Sequence, residues 1–110
     1  MPTSYLIADG DRAFREATAI GLRLDGHPTT CASSAEEAIA QLALGNVGCC
    51  VIDAHLAGAE LLVEAALRSG LRTVLTGPYP ELLAGVGRRH PLAELLPKPF
   101  GATELAGRTH

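Results

Sequence analysis

The chain has no tryptophan, one methionine, two tyrosines and two phenylalanines in 110 residues. A core without aromatic bulk must be built from aliphatic layers, and a hydrophobic share of 47% supplies them. Basic runs are lacking too. Nine Lys and Arg stand against twelve Asp and Glu, a formal net charge of −3, which leaves direct nucleic-acid binding without an electrostatic footprint. No apolar stretch approaches the roughly 20 residues that span a bilayer, so no membrane contact is expected. Met1-Pro2-Thr3-Ser4 has no basic start ahead of an apolar segment, so no signal peptide is expected. Cysteine is scarce and odd in number: Cys31, Cys49 and Cys50 fit neither a zinc ribbon nor a disulfide framework. They read as reduced, buried thiols, and the expected location is cytoplasmic. With no linker and no repeat, residues 1–110 read as one domain.

What is present is an alternation. Ser4 to Ala8 is a short apolar run ending at Asp9-Gly10-Asp11. Ala13, Ala17, Ile20 and Leu24 then recur at helical spacing and predict the inner face of a first helix, with Asp11 as N-cap. His27 to Cys31 is a brief strand. Ser34-Ala35-Glu36-Glu37 reads as a capping box opening a second helix, with Ala35, Ala38, Ile39, Leu42 and Ala43 inward. Gly48 to Ile52 is an uninterrupted apolar strand ending at Asp53. A helix from Ala59 to Leu67 follows, then a strand from Leu71 to Leu75 that breaks at Thr76-Gly77-Pro78. Pro80 to Arg88 is a weaker helix, and Leu92 to Leu96 a fifth strand running into Pro97-Lys98-Pro99. Gly101 to His110 has room for two or three helical turns.

Five strand–helix alternations with short connections predict an α/β, flavodoxin-like (βα)5 fold: a five-stranded parallel sheet, helices on both faces, last helix short. Ligands in such folds gather at the carboxyl ends of the strands. Here those ends carry Asp9, Asp53, Thr76 and Lys98. Two aspartates, a hydroxyl and a lysine around one pocket suit transfer of a phosphoryl group onto a carboxylate. Asp53, ending the central strand, is the candidate nucleophile. Asp9, with Asp11 as the alternative second acid, suits a divalent cation such as Mg²⁺, and Lys98 supplies a fixed ammonium charge. Thr76 offers a hydrogen bond to a phosphoryl oxygen.

Ile7-Ala8-Asp9-Gly10-Asp11, Val51-Ile52-Asp53, Leu75-Thr76-Gly77 and Lys98-Pro99-Phe100 together resemble the receiver (response regulatory) domain of two-component systems, over about residues 4–105. The resemblance implies a phosphoacceptor at Asp53, with Thr76 and Lys98 beside it and a Mg²⁺ site of Asp9, Asp53 and the backbone carbonyl of His55. It implies a cis Lys98-Pro99 bond. It also implies a histidine kinase or phosphotransfer protein as donor, and a downstream partner or output domain. The face of helix 4, strand 5 and helix 5 is the family's contact surface, which leaves a homodimer open. No enzyme activity is implied beyond self-phosphotransfer and autodephosphorylation at Asp53.

Four departures stand out. Gly10 replaces the second acid of the pair that closes the first strand, so weak Mg²⁺ binding is expected. The loop after Asp53 is shortened. Leu95 stands where the family carries an aromatic switch residue, and the last helix is truncated. These admit a second reading, a phosphorylation-independent pseudo-receiver acting as a protein-interaction module. A flavin or nucleotide enzyme of the same architecture is disfavoured, because no phosphate-binding loop follows the first strand. His55 reads as a solvent-facing loop residue; His27, His90 and His110 read as incidental, and Arg88-Arg89-His90 as a solvated helix end.

Overall fold

The structure, a computed structural model, describes residues 3–107; Met1, Pro2 and His110 lie outside that range. Ten elements alternate: β1 (Tyr5–Ala8), α1 (Arg12–Leu24), β2 (Thr29–Ala32), α2 (Ala35–Ala43), β3 (Cys49–Asp53), α3 (Ala59–Arg68), β4 (Arg72–Gly77), α4 (Pro80–Arg89), β5 (Glu94–Pro97) and α5 (Ala102–Gly107). The strands form one parallel sheet in the order β2-β1-β3-β4-β5. The expected five-stranded parallel sheet with a short last helix is the one observed.

Local chemistry sets the boundaries. Asp11 caps α1, its carboxylate accepting from the Phe14 amide at 3.2 Å, and Ser34 caps α2 by accepting from the Glu37 amide at 3.1 Å. Glu37 reaches back to the amide of Ser33, one residue earlier than a capping box requires. Between β3 and α3 the chain turns through Gly58 at φ 79°, a left-handed conformation that a Cβ disfavours.

Alternation along the strands divides the core into two layers. Ile7, Val51, Val74 and Leu96 face α1 and α5, where they pack with Leu22 and Leu105. Leu6, Ala8, Cys50, Ile52 and Leu75 face the other way and lie under α2, α3 and α4. Each fully buried aliphatic side chain contributes about 1.5–3 kcal/mol relative to exposure.

The inner face of α1 differs from the one its spacing suggests. Thr18, Ala19 and Leu22 are buried, whereas Ala13, Ala17, Ile20 and Leu24 are exposed, Leu24 at 82%. Two apolar stripes share this helix, and the sheet selects the one that carries Leu22. On α2, Ala35 and Ala38 are buried and Leu42 half-buried as expected, while Ile39 and Ala43 lie outside. Leu95 packs against α4 at Gly87, where a Cβ would stand 2.8 Å from a Leu95 methyl. The truncated α5 is held from the sheet, because the Arg72 guanidinium donates to the Leu105 carbonyl at 3.1 Å.

Candidate functional site

The two-residue period that builds the α1/α5 layer also builds the pocket. Asp9 lies two residues beyond Ile7, Asp53 two beyond Val51, Thr76 two beyond Val74 and Lys98 two beyond Leu96. Each therefore points to the same face of the sheet as its buried neighbour, at the carboxyl end of its strand. Asp53 and Thr76 are register partners across β3 and β4. Four of the residues singled out by the sequence thus converge.

Lys98 is the centre of the arrangement. Its Nζ lies 2.8 Å from Asp9 Oδ2 and 3.4 Å from Asp53 Oδ2. The closer contact is an ion pair off the line of a directed hydrogen bond, since Asp9 Oδ2 lacks a well-aligned donor. The other carboxylate oxygens are held by the backbone: Asp9 Oδ1 accepts from the Asp11 amide and Asp53 Oδ1 from the His55 amide, both at 2.9 Å. The peptide bond Lys98-Pro99 is cis, as the resemblance implied.

Burial raises the Asp9 carboxyl above its ordinary value, against the pull of the Lys98 ammonium and the Asp11 amide; the charge of Asp53 adds to the rise. Burial alone would lower the Lys98 ammonium, but the two aspartates outweigh it and leave it raised. Thr76 is fully buried, and its hydroxyl has no hydrogen-bond partner among the described residues. Leaving a buried hydroxyl unpaired costs about 1–3 kcal/mol, and the Tyr5 hydroxyl at the other end of the sheet is unpaired too.

The donor chemistry suits a hard cation, but the arrangement does not fit a tight metal site. Only two carboxylates converge, and all four of their oxygens already touch an ammonium or an amide. Asp11 caps α1 through Oδ1, which favours its reading as a cap over that of a replacement ligand. No group of three His, Cys, Asp or Glu side chains that could hold a metal occurs among the described residues. At Gly10 a Cβ would meet nothing within 4 Å, so the absent acid is not excluded by sterics.

Phe14 and Arg15 escape the sequence reading, and Phe100 enters it only within the Lys98-Pro99-Phe100 motif. The Phe14 ring lies under the Lys98 ammonium, 4.2 Å from Nζ to centroid, and Phe100 meets Phe14 edge-on at 5.3 Å. These are the chain's two phenylalanines, and their scarcity beside the Lys98-Pro99 motif was the available signal. Arg15 Nη1 donates to the Asp9 carbonyl at 2.8 Å. His55 is exposed as expected, with its ring edge against Tyr79. His90 and Arg89, in contrast, both hold Glu60, at 3.1 and 2.8 Å, and His27 packs against Tyr5. His27 and His90 thus make structural contacts that the sequence did not suggest, while Arg88 and Arg89 are exposed at the end of α4 as expected.

No family model and no curated protein matches the chain. Solved structures do. The CheY-like response regulator receiver domain protein from Methanospirillum hungatei JF-1 superposes with a TM-score of 0.83 at 26% identity, over 98% of this chain and 90% of that one. The receiver domain of the Francisella response regulator 1452 gives 0.79 at 21% identity, over 96% and 92%. A response regulator protein from Burkholderia pseudomallei, its structure containing a phosphorylated aspartic acid, calcium ion and citrate, gives 0.82 at 19%, over 98% and 66%. The chain has the receiver-domain fold. No helix among the described residues is long and apolar enough to cross a membrane.

Proposed function

We propose, from this receiver-domain fold, that the chain is a response-regulator module of phosphorelay signalling in which Asp53 accepts a phosphoryl group from a histidine kinase or phosphotransfer protein. The observation that carries the reading is the convergence of Asp9, Asp53, Thr76 and Lys98 through one side-chain period on four strands. An Asp53 carboxylate oxygen attacks phosphorus. The O–P bond forms as the P–N bond of the donor histidine breaks, and the electron pair returns to the imidazole. Lys98, already within 3.4 Å of the nucleophile, offsets the charge of the incoming oxygens. The Thr76 hydroxyl, without a partner at rest, donates to one of them.

Mg²⁺ binds weakly in this reading, because Gly10 removes one carboxylate and ligand charge is a large part of the affinity. The module acts in the cytoplasm, and its output is a change at the face of α4, β5 and α5, through which it meets a downstream protein, an output domain or a second copy. With Leu95 in place of an aromatic and seated against Gly87, that change runs through the β4–α4 loop rather than through rotation of a ring. No catalysis on a separate substrate is part of the proposal.

Gly10 and the satisfied carboxylates favour one competing reading, a docking module that works without phosphate. Intact-mass measurement after incubation with a small phosphodonor and Mg²⁺ separates the two. The expected result is one phosphoryl adduct on the wild type, none on Asp53→Asn, and a faster adduct on Gly10→Asp. Absence of the adduct from both the wild type and Gly10→Asp would establish the docking module instead.

A further inference from the structure

Lys98 sits where charge neutralisation is needed, yet it lies nearer to Asp9 than to Asp53, at 2.8 against 3.4 Å. Its ammonium is held from one side by Asp9 and from the other by the face of Phe14, whose own orientation is fixed by the edge contact with Phe100. An ammonium within about 6 Å of a ring centroid is attracted by the ring's negative face, more strongly where water is excluded. Water is largely excluded here, since the Lys98 side chain is only 13% exposed. Arg15 is the other cation nearby, but it contacts the Asp9 main-chain carbonyl and leaves the carboxylate to Lys98.

We propose that Lys98 is the resident cation of this pocket, clamped on Asp9 by the Phe14 ring, and that a divalent metal binds there only by displacing it. Phe14 is then a positioning residue. It sets the metal affinity through Lys98 without touching the metal. Gly10 is one reason for weak metal binding, and the Phe14 clamp is a second, independent one. The inference rests on the reading of this pocket as a receiver site, but its test needs no phosphodonor.

The test is a Mg²⁺ titration followed by the amide resonances of Gly10, Ala54 and Gly77, on the wild type, Phe14→Leu, Phe14→Tyr, Lys98→Gln and the double variant Phe14→Leu/Lys98→Gln. Loss of the ring face should tighten Mg²⁺ by roughly three- to tenfold, the range of a partly desolvated cation–π contact. Phe14→Tyr, which keeps the face, should match the wild type. Lys98→Gln should tighten binding at least as much as Phe14→Leu, and the double variant should be no tighter than Lys98→Gln alone, because the clamp has nothing left to hold. The proposal is overturned if Lys98→Gln binds no tighter than the wild type, if Phe14→Leu leaves the affinity unchanged, or if its effect persists in full without Lys98. It is equally overturned if no variant binds Mg²⁺. Failure of the phosphoryl-transfer reading is distinguishable, since an Asp53 that never gains phosphate leaves these affinities as predicted.

Discussion

Both ends of the sheet carry polar groups on the α1/α5 face, and they solve the problem of burial in opposite ways. Four strands present polar, apolar and polar residues in sequence on that face: Tyr5, Ile7 and Asp9; Cys49, Val51 and Asp53; Arg72, Val74 and Thr76; Glu94, Leu96 and Lys98. At the amino end, Arg72 makes two bonds to Glu94, at 2.6 and 2.9 Å, and a third to the Leu105 carbonyl. At the carboxyl end, two carboxylates share one ammonium and the Thr76 hydroxyl is left unpaired. The amino end is charge-balanced and holds a helix in place, although its Tyr5 hydroxyl is unpaired as well. The carboxyl end keeps an excess of negative charge, two carboxylates against one ammonium.

Stability measurements sharpen that contrast. Arg72→Ala removes four bonds at once, the fourth a weak one to Cys49 Sγ at 3.8 Å, and leaves Glu94 without its partner, so chemical denaturation should show a loss of about 2–3 kcal/mol. Asp9→Asn should move stability by less than about 1 kcal/mol, because the burial penalty it relieves offsets the ion pair it breaks. A larger loss for Asp9→Asn than for Arg72→Ala would erase the distinction between the two ends. A smaller effect concerns Cys49, whose thiol burial pushes up to about 12. Between the ordinary thiol value of 9.0 and that point, the unfolded chain has lost this proton and the folded chain has not. Stability therefore falls as pH rises through the window. By pH 10 the wild type should have lost about 1 kcal/mol that Cys49→Ala retains, read from denaturation midpoints at pH 8 and pH 10.

The pocket was legible because four of the five strands, β2 (Thr29–Ala32) being the exception, carry an apolar run that ends at a polar residue, a local pattern. The inner face of α1 was not. Ala13, Ala17, Ile20 and Leu24 satisfy helical spacing as well as the stripe through Leu22 does, and only docking on the sheet distinguishes them. The meeting of Phe14 and Phe100 is equally non-local, since it depends on residues from opposite ends of the chain arriving at one lysine. The cluster at the amino end was in principle readable. Counting two residues back from Ile7, Val51, Val74 and Leu96, as one counts forward to the pocket, arrives at Tyr5, Cys49, Arg72 and Glu94.

The measurement that bears most directly on the carboxyl end as a phosphoryl switch is an amide-NMR titration with beryllofluoride, a stand-in for the phosphoryl group, in the presence of Mg²⁺. Shifts at Thr76, Gly77 and Lys98 are expected in the wild type and none in Asp53→Asn. Shifts of equal size in Asp53→Asn, or no response in the wild type even at high Mg²⁺, would contradict the switch.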